Sequence, residues 1–191
     1  MKDLEIEIQV QVEKIDNLIK FLNEKGKSSG QRHQIDQYFI PSHRDFTAVR
    51  PISEWLRLRD NNGKFSIDYK NWHRDDRGKT NDCDEYISKF ENIDSFRKIL
   101  KVLNFKEICT VEKNRKIYTY KEYEIALDEV KGLGDFVEIE FKGNSNKSPA
   151  EITLEMVRFL KDIKVGRITR NYVGYAFMIL APAEKYDIEE L

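Results

Sequence analysis

Apolar and polar residues alternate with period two in several short stretches of this chain. Ile6, Ile8, Val10 and Val12 are interleaved with Glu5, Glu7, Gln9 and Gln11, and Val137, Ile139 and Phe141 with Glu138, Glu140 and Lys142. Arg57 and Arg59 fall among Trp55, Leu56 and Leu58, while Lys113 and Arg115 follow Val111. Side chains two apart on a strand point the same way, so each stretch predicts a strand with one apolar face to cover and one charged face. Helical spacing appears elsewhere. Ile15, Leu18, Ile19 and Leu22 predict a helix that stops at Gly26, and Phe96, Ile99, Leu100 and Leu103 predict another behind Asp94 as N-cap. Ser148, Pro149 and Glu151 form a capping box ahead of Ile152, Met156, Val157 and Leu160. A fourth helix is expected after Arg170, carrying Tyr172, Tyr175, Ala176 and Ile179.

Gly26 to Gly30 reads as a flexible loop, and Asn61-Asn62-Gly63 as a hairpin turn. The polar stretch from Asn71 to Asp84 reads as irregular and mobile. Gly132 and Gly134 lack the spacing of a phosphate-binding loop and are assigned to a turn. With no proline-rich linker, low-complexity tract or fixed-period repeat, residues 1–191 are expected to form a single domain.

Composition narrows the function classes. Of 191 residues 40% are hydrophobic, which supports a sizeable core, yet 35% are charged. The 33 basic and 34 acidic residues nearly cancel, so no global field attracts nucleic acid or an anionic membrane, and any anion site must be local. Cys83 and Cys109 have no metal-ligand spacing and follow no signal peptide, which points to a reducing cytoplasm. No apolar run approaches the roughly 20 residues that span a bilayer, so a soluble protein is expected. His33, His43 and His73 form no ligand set. Trp72, just after Lys70, suits stacking on a base or plugging a loop.

Alternation by itself also marks ordinary half-exposed strands with solvated outer faces. Its recurrence with charges of both signs suggests a common surface. Carboxylates there would hold hard cations, and Arg and Lys would clamp phosphate oxygens.

The residues that carry this surface resemble a known family. Glu5-Ile6-Glu7-Ile8-Gln9 is similar to the Glu-x-Glu-x-Lys opening of the CYTH superfamily, which holds class IV adenylyl cyclases and thiamine triphosphatases. It is followed in order by Gln34 to Phe39, Arg44-Asp45-Phe46, Leu56 to Arg59, Tyr69-Lys70, Lys113 with Arg115, Leu127-Asp128, and Gly132 to Glu140, as in the class IV cyclase branch. The resemblance implies an α+β fold: a closed or nearly closed antiparallel β-barrel, the triphosphate tunnel, with helices packed outside and charged side chains inside. A closed barrel sends every second residue inward, as the alternation requires.

It further implies that Glu5, Glu7, Glu138 and Glu140 hold a divalent metal, Mg2+ or Mn2+, with Asp128 as a further ligand or an orienter. Arg57, Arg59, Lys70, Lys113 and Arg115 would bind triphosphate, with Arg74 and Lys142 as additional cations. Arg57, Lys113, Arg115 and Asp128 would act on the reacting phosphate. Gln9 stands where the family has lysine, so this strand brings no positive charge there. Lys142 would make up that charge if its strand lies beside the first.

Three functions are compatible with such a tunnel. In an adenylyl cyclase the ribose hydroxyl of ATP attacks the α-phosphorus, releasing pyrophosphate; in a triphosphatase water attacks the terminal phosphorus of thiamine triphosphate, inorganic triphosphate or a nucleotide. A binding protein would hold a triphosphate or polyphosphate without turnover. The Gln34 to Phe39 and Arg44 to Phe46 stretches favour the cyclase. The tyrosine-rich segment Tyr172 to Leu180 suits a homodimer surface as readily as core packing.

Overall fold

The computed structural model describes residues 6–50, 52–74, 80–184 and 188–191, with the side chains of residues 74 and 80–83 outside that description. Glu5, the side chain of Arg74 and the side chain of Cys83 therefore lie outside the described residues.

In chain order the elements are β1 (Ile6–Val12), α1 (Ile15–Lys25), β2 (Lys27–Ile40), a 3-10 turn (Phe46–Ala48), β3 (Glu54–Asn61), β4 (Lys64–Arg74) and β5 (Thr80–Phe90). There follow α2 (Ile93–Val102), β6 (Lys106–Tyr120), β7 (Tyr123–Val130), β8 (Gly134–Phe141), α3 (Pro149–Asp162), β9 (Ile168–Asn171), α4 (Tyr175–Leu180) and β10 (Ile188–Glu190). The strands form one sheet in the order β10-β9-β1-β8-β7-β6-β2-β3-β4-β5, every pair antiparallel. No described ladder joins β5 back to β10, so the barrel is approximate.

The sheet has two differently furnished faces. On the outer face Ile8 and Val10 of β1, Ile125 and Leu127 of β7, and Val137 and Ile139 of β8 pack against Leu18 and Leu22 of α1 and Ile152, Met156 and Leu160 of α3. Farther along the same face Phe39 and Leu58 meet Ile93 and Leu100 of α2. The other face carries the residues one step out of phase with these. Helices α1, α2 and α3 thus lie outside, as the resemblance implied. Helix α4 does not: Tyr175, Ala176, Phe177 and Met178 pack with Tyr38, Val111, Val130 and Phe136, which alternate with outer-face residues. The tyrosine-rich segment is accordingly core.

Local signals are borne out where one short stretch decides them. The Ser148 side chain accepts from the Glu151 amide, and Glu151 reaches back to the Ser148 amide with Pro149 opening the helix. Asn62 and Gly63, with φ of 51° and 77°, form the two-residue hairpin turn between β3 and β4. Gly132 and Gly134 turn β7 into β8, with φ of 82° and 94°.

Elsewhere pairing overrides local preference. Gly26 to Gly30 is no loop: from Lys27 the chain is strand, held by β6, with a bulge between Ser28 and Gly30 that Gly30 accommodates at φ 112°. Asn71 to Arg74 and Thr80 to Asp84 likewise belong to β4 and β5. The cap of α2 is Asn92, whose side chain accepts from Ser95, and Asp94 sits in the first turn. Arg170 lies in β9, so α4 starts later, after Gly174.

Candidate functional site

Alternation puts Gln9 of β1, Glu138 of β8, Asp128 of β7, Lys113 and Arg115 of β6, Asp36 of β2, Arg57 and Arg59 of β3, and Asp68 and Lys70 of β4 on the inner face. They form two linked clusters of ion pairs.

In the first, Arg59 donates from Nε and Nη2 to the two oxygens of Asp36 at 2.7 and 2.6 Å, a bidentate fork. Arg57 donates from Nε to Asp68 at 2.7 Å, and its Nη1 stands 3.7 Å from Asp36. In the second, Asp128 accepts from Lys113 Nζ at 2.9 Å, from Arg115 at 2.6 and 2.5 Å, and from the Tyr175 hydroxyl at 2.9 Å. Arg115 also bridges to Glu138, and Gln9 Nε2 donates to Glu138 at 3.3 Å. The Lys113 ammonium lies 4.8 Å from the centre of the Tyr175 ring. Farther out, Lys70 meets Glu85 at 2.9 Å and lies 5.5 Å from the Trp72 ring centre, while Lys142 meets Glu140 at 2.5 Å.

Burial makes these pairs electrostatically strong. It opposes the charge on Asp36, yet the Arg59 hydrogen bonds and the fields of Arg57, Arg59 and Lys113 hold that carboxyl down to about 2. Burial opposes the charge on Glu138 too, and Lys113, Arg115 and the Gln9 amide bring it to about 2. Lys113 is pulled below the usual lysine value by burial and by Arg115, against the raising fields of Glu138 and Asp128. The Tyr175 hydroxyl is pushed well up by burial, Glu138 and Asp128, so it is a fixed donor.

The predicted cations Arg57, Arg59, Lys113 and Arg115 therefore share one surface, and Lys113 reaches Asp36 electrostatically across the β6–β2 pair. Asp128, with its oxygens taken by Lys113, Arg115 and Tyr175, has the geometry of an orienter. Glu138 contacts the same cations. Strand β8 lies beside β1 with Gln9 opposite Glu138 and Glu7 opposite Glu140, and Lys142, four residues beyond Glu138, meets Glu140.

Among the described residues no three His, Cys, Asp or Glu side chains gather into a metal-holding group. The donor chemistry nevertheless fits a hard divalent cation. Glu140 has Glu7 directly across on β1 and Glu124 directly across on β7, a row of carboxylates of the kind that holds hard cations, with Lys142 already paired to Glu140.

Sequence reasoning gave no role to Asp36, Asp68 or Tyr175. Asp68 carries the signal of period two, between outer-facing Ile67 and Tyr69, while Asp36 carries it on one side only, between Ile35 and Gln37. Tyr175 has none, because only the docking of α4 on the inner face brings it to Asp128.

Comparisons with known proteins bear on the family and the fold. The CYTH domain model matches residues 3–172. A Methanocaldococcus jannaschii protein named "Putative adenylate cyclase" is 33% identical over 174 residues, which is 89% of this chain and 97% of that protein. The PH1819 protein of Pyrococcus horikoshii superposes with a TM-score of 0.73 at 27% identity, covering 93% of this chain and 99% of its own. A Hippeastrum "Putative adenylyl cyclase", described as having a dominant triphosphatase activity, shares the fold with a TM-score of 0.65 at 18% identity, covering 95% of this chain and 97% of its own. With the domain model spanning most of its length over an antiparallel sheet whose inner face is lined by paired charges, the chain belongs to the CYTH family.

Proposed function

We propose that the protein is a metal-dependent enzyme acting on a triphosphate, converting ATP to cyclic AMP and pyrophosphate. The observation that carries this reading is the pair of buried ion-pair clusters on one sheet face. Transfer at phosphorus is catalysed mainly by positioning and by charge that is in place before the reaction, and Asp36, Asp68 and Asp128 hold Arg57, Arg59, Lys113 and Arg115 in fixed directions. A triphosphate laid along this face would receive forked donors from the arginines and a point charge from Lys113. Lys70 supplies a further cation toward β5.

The clusters are close to neutral by themselves, because each cation already faces a carboxylate. A triphosphate of about four negative charges thus calls for further positive charge. Glu7 and Glu140, with Glu5 and Glu138, would hold the metal at the β1–β8 end. The metal would neutralise phosphate charge and polarise the phosphorus–oxygen bonds. Lys142 lies at the same end.

The relationship to the Methanocaldococcus protein supports the cyclase reading. A second reading, hydrolysis, is favoured by Gln9. Its Oε1 is buried without a hydrogen-bond partner among the described residues, and a glutamine oxygen there is suited to orient an attacking water. The activity described for the Hippeastrum protein points the same way.

The test is to incubate the protein with ATP, and separately with inorganic triphosphate, each with Mg2+ or Mn2+, and to resolve the products. Cyclic AMP with pyrophosphate is the expected outcome, lost in Glu138→Ala. Orthophosphate without cyclic AMP would replace the cyclase by the hydrolase, and binding without product from either substrate would leave a binding protein.

A further inference from the structure

We propose that the mouth of the inner face, between the β3–β4 hairpin and β5, is a second anion subsite that takes phosphate groups beyond the third of a longer chain. This rests on the reading of the inner face as a triphosphate site.

A cleft of about 760 Å³ opens there, lined among others by Arg32, Arg59, Lys64 and Lys89, with Glu91 as its one carboxylate. Its cations differ from those of the clusters. Arg57, Lys113 and Arg115 are each tied to a carboxylate, whereas Arg32, Lys64 and Lys89 make no ion pair among the described residues. Arg32 moreover sits directly opposite Arg115 across the β2–β6 pair, where like charges repel unless an anion lies between them. Arg115 has Asp128 and Glu138; Arg32 has no described counterpart.

The cleft is continuous with the triphosphate face through Arg59. Asp36, Arg59, Ser66 and Lys89 are register partners in succession across β2, β3, β4 and β5. Neighbouring strands lie about 4.8 Å apart, which places the β5 backbone about 10 Å from that of β3, a span for a ligand running out of the centre. Arg59 uses Nε and Nη2 on Asp36 and still lines the cleft. The ligand chemistry follows from the lining. Phe65 and Phe90 pack toward the outer core under α2 and also line one side of the cleft, while its cations, the Ser66 hydroxyl and the Asn61 amide are the groups that suit phosphate.

Both linear inorganic polyphosphate and a nucleoside tetraphosphate present such extra groups. The experiment measures calorimetric affinities for inorganic triphosphate, a longer linear polyphosphate, ATP and adenosine tetraphosphate. It compares the unaltered protein, K64A/K89A, and K101A/K161A, which removes equal charge from exposed helix positions elsewhere. The unaltered protein and K101A/K161A should favour the longer chain over triphosphate by about fivefold, and K64A/K89A should lose that preference while binding triphosphate as before. Loss of preference in the adenosine pair would assign the subsite to nucleotides, and in the inorganic pair alone to polyphosphate. Equal affinities in the unaltered protein, a preference retained by K64A/K89A, or one lost equally in K101A/K161A would overturn the subsite. Binding of longer chains through Lys64 and Lys89 without binding of triphosphate would leave the subsite standing and remove the triphosphate reading. No binding of any of the four would remove both.

Discussion

Asp36 is 3% exposed, yet it is ionised, because Arg59 grips both its oxygens and Arg57 stands beside it. Its carboxyl lies near 2 when folded against an ordinary 3.8, and Glu138 lies near 2 against 4.5. For both, the unfolded chain binds more protons at acid pH, so the stabilisation is fully present above the unfolded values and is lost as pH falls through the folded ones. Urea midpoints should therefore hold near neutrality and drop from about pH 4.5 down to about pH 2. Asp36→Asn should be less stable at neutral pH, since it leaves Arg59 short of a counter-charge, and its acid slope should be shallower. An unchanged slope would refute the role of Asp36. Tyr175→Phe removes one of several donors to Asp128 while keeping the ring beside Lys113, and should cost about 1 kcal/mol in urea unfolding.

At the scale of elements, a strand or helix was legible wherever its own residues decide it. Period two exposed the charged faces of β1, β3, β6 and β8 because a strand orients its side chains without reference to its partners. The capping box of α3 was readable for the same reason. What could not be read was set by partners distant in sequence: Lys27 to Gly30 is a strand because β6 pairs with it, and Asp36 neutralises Arg59 because β2 and β3 meet in that register. The candidate cations were thus visible one strand at a time, while their matching carboxylates and Tyr175 required the sheet. Within α3 the inward positions should govern stability. Leu160→Ala, at a fully buried site against β1 and β8, should cost about 2–5 kcal/mol in urea unfolding, whereas Leu154→Ala, 64% exposed, should stay within about 0.5 kcal/mol of the unaltered protein.

Over the whole molecule, 33 basic and 34 acidic residues cancel, and on the inner face the cancellation is repeated pair by pair. Such a face is poised but not strongly positive. It keeps its arginines and lysines ordered without ligand, and it gains little from long-range attraction when a triphosphate approaches. On the proposed function the consequence would be a division of labour along the face: paired cations on β3 and β6 would fix phosphate oxygens, and the row of Glu7, Glu140 and Glu124 at the other end would recruit compensating charge. Affinity for inorganic triphosphate should therefore rise at least about tenfold when Mg2+ or Mn2+ is added in calorimetry, a gain of about 1.4 kcal/mol. The double substitution E7Q/E140Q should abolish that rise and leave the metal-free affinity in place. Arg57→Ala should weaken binding with and without metal, because its guanidinium would lie at the proposed phosphate end. If E7Q/E140Q kept the full metal enhancement, the cation would be held elsewhere, and the charge balance of the face would need another explanation.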